Sequence, residues 1–150
     1  MKLLQNKPFV LVVLIALSST LFSFAPFGGE GYQVFVNNKM VLERYGKDMN
    51  VIKTLQLDQY PADAQLTIRY YHCGKAGKNR MVTLKDENNK IIKQWKFKDV
   101  DGSVAVSCPV KEITDLQKKH DVINLYYASS ELPDGRQLAA LTNAAVAIKK

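Results

Sequence analysis

Cysteine and histidine are scarce, with 2 of each in 150 residues, and that scarcity narrows the chemistry at once. A tetrahedral Cys2His2 zinc site would need Cys73, Cys108, His72 and His120 around one ion. Their spacing is not that of a compact finger, and neighbours on a strand such as His72 and Cys73 point to opposite faces. No metal site is expected. A Cys–His nucleophilic pair would need a free thiol of lowered pKa, and an exported chain with two cysteines favours a disulfide instead. The nucleophile elbow G-x-S-x-G is absent, and Ser129-Ser130 lies in a turn-prone stretch. The nucleotide-binding spacing G-x-x-x-x-G-K-[ST] is also missing. There is no internal repeat and no low-complexity tract. No catalytic residue and no cofactor are therefore expected.

Acidic residues do not fill that gap. Asp58, Asp63, Asp86, Glu87, Asp99, Asp101 and Glu131 all fall in predicted turns, where local turn chemistry and solvation account for them. The run Asp99-Val100-Asp101-Gly102 lacks the ligand series of an EF-hand calcium loop. Paired carboxylates converging from separate loops would be needed for a small hydrolase of envelope polymers. That is retained as an alternative function, beside an inhibitor of a secreted enzyme.

What the chain does have begins at its N-terminus. Lys2 and Lys7 precede an apolar run from Phe9 to Leu17, and Ser23-Phe24-Ala25 offers small residues at both inspected positions, the layout of a signal peptide. Pro26 is a poor residue to cut before, so the boundary at Ala25 is provisional. Phe9 to Phe27 approaches the roughly 20 apolar residues that span a bilayer, which makes an N-terminal anchor the alternative. Ser18, Ser19, Thr20 and Ser23 favour removal. The reading is thus a signal peptide over 1–25, a flexible linker over 26–31, a single domain over 32–150, and a secreted or periplasmic location. Of the formal charge of +7, Lys2 and Lys7 in the leader account for two, leaving +5. A basic exported domain is drawn to anionic surfaces, including the membrane surface, through salt-screened electrostatics.

Within the domain the hydrophobic pattern has mostly period two. Tyr32–Val36 and Met40–Arg44 flank Asn37-Asn38-Lys39 and predict a hairpin. Leu66, Ile68 and Tyr70 share one face of a strand. Ile91, Trp95 and Phe97 share a face of another, with Lys93 as the exception. Val104, Val106 and Cys108 line up on a third. Val51–Leu57, Met81–Lys85 and Val122–Tyr127 also have strand composition. Pro109, Val110, Ile113 and Leu116 predict one short helix near residues 109–119. Leu132-Pro133-Asp134-Gly135 reads as a turn, and Arg136–Ile148 as a closing strand. The fold class is mainly β, an antiparallel β-sandwich, with an immunoglobulin-like arrangement or a small barrel as alternatives. Trp95 is not clearly placed for the immunoglobulin core, and Val106 stands where that family has its tyrosine, so membership is not claimed. Cys73 and Cys108 are expected to form one disulfide.

Two features suggest a binding surface. The first is the loop Gly74-Lys75-Ala76-Gly77-Lys78-Asn79-Arg80, whose glycines allow close approach while its cations face a phosphate, sulfate or carboxylate. The second is the doublets Tyr70-Tyr71 and Tyr126-Tyr127, which place one tyrosine in the core and one outside. Arg69, Tyr71, Lys75, Lys78 and Arg80 are the candidate ligand-binding residues. The partner expected is an envelope glycan or protein. Aromatic and basic residues interleave from Lys90 to Lys98, but Trp95 and Phe97 face inward in that alternation, so nucleic acid is not expected.

Overall fold

The computed structural model describes residues 29–144. The expected leader, the first part of the expected linker, and positions 145–148 of the expected closing strand lie outside the described residues. Among the described residues nine strands form in the order β1 (Gly31–Val36), β2 (Lys39–Tyr45), β3 (Lys53–Gln56), β4 (Gln65–Tyr71), β5 (Met81–Lys85), β6 (Ile91–Lys96), β7 (Ala105–Pro109), β8 (Val122–Ser129) and β9 (Leu132–Thr142). A helix, α1 (Val110–Gln117), stands between β7 and β8, and a 3-10 turn, Gly46–Asn50, between β2 and β3. The described residues are mainly β, with two mostly antiparallel sheets and a short α-helix between β7 and β8.

The strands are ordered β2-β1-β4-β7 in one sheet and β3-β9-β8-β5-β6 in the other. The first hairpin turns on Asn37 and Asn38 alone, at φ 46° and 65°. Both lie in the left-handed region that a two-residue hairpin of the favoured twist requires and that Asn tolerates. Asn37 also fixes the next strand, because its carboxamide oxygen accepts from the Gln65 N–H at 3.0 Å. Alternation then sorts the side chains: Leu66, Ile68 and Tyr70 of β4 are fully buried, and so are Val82 and Leu84 of β5. They meet Tyr32, Val34, Ile123, Leu125, Tyr127 and Leu141 in one continuous core. Contacts cross from sheet to sheet there. The Tyr32 hydroxyl donates to the Leu138 carbonyl at 2.9 Å, and the rings of Tyr70 and Tyr127 stack at 4.5 Å. The helix contributes Val110 and Ile113 to the same core, while Lys93 of β6 pairs with its Glu112 at 2.8 Å.

Several expectations need correction. The disulfide does not form: Cys73 and Cys108 are both free, the first exposed and the second buried. Register explains why. Cys108 lies opposite Leu66 at the beginning of β4, whereas Cys73 lies past its end, seven residues on, a separation of roughly 20 Å or more at strand rise. A disulfide needs Cα atoms within about 7 Å. Burial pushes the Cys108 thiol up to about 12, so it stays protonated and unreactive. A thiol-alkylating reagent at pH 8 is expected to add once to the native protein, at Cys73, and a second time only after unfolding. Two additions to the native protein, read by intact mass, would contradict this burial.

The remaining corrections concern elements. The expected turn at Leu132–Gly135 belongs to β9, because the chain reverses at Ser130-Glu131. A register shift between Tyr127 and Ser129 accommodates Pro133 and Gly135. Ile91 is exposed instead of sharing the face of Trp95 and Phe97, since a shift between Leu84 and Lys85 takes it out of alternation. Trp95 itself is only half-buried. The segment Val51–Leu57 yields a strand of four residues, and that strand runs parallel to β9. The expected closing strand forms from Arg136 to Thr142. Of the expected linker, Gly31 is already part of β1 and pairs with Tyr45 and Tyr71.

Candidate binding surface

The five residues singled out from the sequence do not converge. Arg69 and Tyr71 stand on the outer face of the β2-β1-β4-β7 sheet, where the Arg69 guanidinium lies 4.7 Å from the centre of the Phe35 ring. Lys75 and Lys78 are exposed on the connection between β4 and β5. Arg80 is not available to a ligand: it is only 2 % exposed. Its Nη1 donates to the Ser103 carbonyl at 2.8 Å and its Nη2 to the Lys98 carbonyl at 3.1 Å. It holds the β6–β7 connection in place.

The Gly74–Arg80 loop is likewise built into the protein. A backbone cradle for an anion needs free N–H groups, but the Lys78 N–H donates to Glu131 at 2.9 Å and the Asn79 N–H to Asp99 at 2.9 Å. The bond from Lys78 holds the Glu131 carboxyl below its ordinary value. Gly77 packs so closely that an added Cβ would come within 2.8 Å of both His72 Nε2 and the Tyr127 hydroxyl. The loop therefore presents two ammonium groups on a committed backbone.

Beneath it lies a polar cluster that the sequence reading missed. His72 Nε2 is 3.1 Å from Ser129 Oγ and 3.5 Å from the Tyr127 hydroxyl. Tyr70 stacks between Tyr32 and Tyr127. Its hydroxyl donates to Glu30 at 2.5 Å and accepts from Arg136 Nε at 2.9 Å. Burial raises the phenol pKa of Tyr70, with the Glu30 bond adding to it, and burial takes Tyr127 up to about 12. His72 is lowered, because desolvation outweighs the carboxylates of Glu131 and Glu30. A Ser–His contact is half of a nucleophilic device, but Gly77 covers it and Ser129 is buried. The contact ties the end of β4 to β8 beneath the loop. Period-two parity carried the signal, since Tyr70 and His72 share one face of their strand and Tyr127 and Ser129 share one face of theirs.

An open cleft of about 440 Å³ lies elsewhere, lined among the described residues by Tyr45, Tyr71, Gly29 and Gly74. Gly31, buried beneath the Tyr45 ring, sets the position of that wall. It pairs with Tyr45 on one side and Tyr71 on the other, and a Cβ there would fall 2.0 Å from the Tyr45 ring. Only glycine lets that ring lean inward. Gln33 ties the two walls: its Nε2 donates to the Tyr45 hydroxyl at 3.2 Å and to Glu43 at 2.6 Å, while its Oε1 accepts from the Tyr71 hydroxyl at 3.3 Å. Of these residues, Tyr71 is a ligand-binding candidate from the sequence and Gly74 opens the loop expected to bind. Glu43 and Tyr45 alternate with buried Leu42, a pattern that placed them on the outer face. Among the described residues, no group of three or more His, Cys, Asp and Glu side chains is placed to hold a metal ion. No protein-family model matches this chain, and no curated protein matches it.

Proposed function

We propose that this chain is an exported, non-enzymatic binding module, an antiparallel β-sandwich that takes an envelope glycan in the cleft between Tyr45 and Tyr71. The observation that carries the reading is the pair of tyrosines flanking side-chain-free Gly31, with both hydroxyls fixed by the single amide of Gln33. Aromatic rings offer apolar faces to the C–H surface of a sugar ring, while the adjoining amide, carboxylate and hydroxyls serve its hydroxyl groups. Holding the rings in advance reduces the ordering cost of binding. Lys75 and Lys78 lie on the loop that begins at the cleft residue Gly74, so an acidic glycan gains further attraction that salt weakens. The signal-type leader supports an extracytoplasmic setting.

Affinity electrophoresis in gels containing soluble envelope polysaccharide tests this reading. Tyr45→Ala and Tyr71→Ala are each expected to weaken retardation by roughly tenfold, the size of an aromatic anchor. Gly31→Ala should do the same while keeping both rings, because its methyl group pushes Tyr45 aside. Unchanged retardation in all three variants would sink the glycan reading. The hydrolase alternative finds no support in the Ser129–His72 contact, which lies under Gly77.

A further inference from the structure

A second surface lies along the side of the molecule where both sheets end. β2 is the edge of one sheet and β3 the edge of the other, and among the described residues neither has a partner on its outer side. Between them runs a groove of about 330 Å³, lined by Val36, Lys39, Met40 and Val41 from one sheet and by Lys53 to Leu57, Gln59 and Tyr60 from the other. Met40 in its lining is 44 % exposed, and Val51 and Ile52, just before β3, are 57 % and 40 % exposed. Val41 is the extra residue of a bulge in β2, where the register steps from Val34–Leu42 to Phe35–Met40. Bulges turn an edge away from direct pairing, which leaves β3 as the side of the groove able to accept a strand, with its Gln56 carbonyl held by the exchangeable Gln59 side chain at 3.0 Å. Alternate residues of a strand direct their N–H and C=O groups away from its existing neighbour.

We propose that this groove docks an extended, acidic segment of a partner protein by strand addition to β3. Alternate side chains of that segment are apolar and cover Val41, Leu55 and Tyr60. Carboxylates on the others meet Lys39 and Lys53, one on each side. Strand addition draws affinity from backbone hydrogen bonds and specificity from alternate side chains. Charge argues for a partner over the chain's own ends: residues 1–28 and 145–150 contain no Asp or Glu, and the latter end in Lys149-Lys150. The surface is separate from the Tyr45–Tyr71 cleft and stands whether or not that cleft binds sugar.

The test is an amide-resolved NMR titration of the domain with a capped peptide of about ten residues, long enough for a strand and its flanks, alternating valine and glutamate. Shifts are expected over Lys53–Leu57 and Lys39–Leu42, with binding weakened roughly tenfold by the double variant Lys39→Glu/Lys53→Glu. Both lysines are exposed, so that variant keeps the native spectrum elsewhere. A peptide with proline at alternate positions, unable to donate to an edge, should not bind. The proposal is overturned if the glutamate peptide does not bind, if a lysine counterpart binds equally, if shifts fall on Tyr45 and Tyr71 instead, or if the groove residues shift with protein concentration alone, which would make a second copy the occupant.

Discussion

Arg80→Ala is expected to destabilise the protein by about 3 kcal/mol, because it removes a buried side chain and two charge-assisted hydrogen bonds together. The guanidinium reaches the carbonyls of Ser103 and Lys98 from inside the fold. Alanine would leave both carbonyls without that donor and a hole where the side chain stood. Arg80 also accepts the Phe97 N–H on its own carbonyl at 2.9 Å, so the residue clamps the start of β5 to the end of β6 and to the connection that follows. Arg80→Lys preserves the charge but replaces a planar fork with a single ammonium. It should recover only part of the loss. Urea unfolding of the three proteins measures the difference, and an alanine variant within about 0.5 kcal/mol of the parent would show that these bonds contribute nothing.

Tyr70→Ala is expected to cost about 4 kcal/mol, in the range for emptying a large aromatic site in a core. The ring is the middle member of a stack, 6.0 Å from Tyr32 and 4.5 Å from Tyr127, with His72 tilted against it at 4.7 Å. Tyr70→Phe separates the ring from its hydroxyl. It keeps the stack but removes the bridge between Glu30 and Arg136, whose direct contact is 3.5 Å, and should cost about 1–2 kcal/mol. Denaturant unfolding again provides the measurement. If phenylalanine proved as harmful as alanine, the hydroxyl network and not the stack would hold this end of the core together.

What the sequence makes legible depends on the range of the information. Period-two alternation is local, and it correctly placed Leu66, Ile68 and Tyr70 inside, Tyr71 partly outside, and the last strand through Thr142. The same parity held a message that loop composition obscured: Arg80 is in step with Val82 and Leu84, which are fully buried. Its position after two glycines and two lysines suggested solvent. Non-local facts were beyond reach. No pattern within either segment says that Cys108 lies opposite Leu66, and without that register two cysteines in one small domain look like partners. The cleft is non-local in the same way. Tyr45, Gly31 and Tyr71 come from three strands, and only the order β2-β1-β4 makes them neighbours. The exposed apolar residues at Val51 and Ile52 were read as part of a longer strand because nothing in their composition marks where β3 begins.

The parallel pairing of β3 with β9 governs when this protein becomes itself. Lys53 to Gln56 find their only partners among the described residues at Ala139 to Thr142, and β9 lies inside its sheet, next to β8. Such a pairing must close a very long stretch of chain before it gives any return, which slows folding. The first hundred or so residues contain β1, β2 and β4, which pair with one another, and the β5–β6 hairpin, but neither β8 nor β9, so the second sheet is still unfinished. Closure of that sheet thus waits for β9.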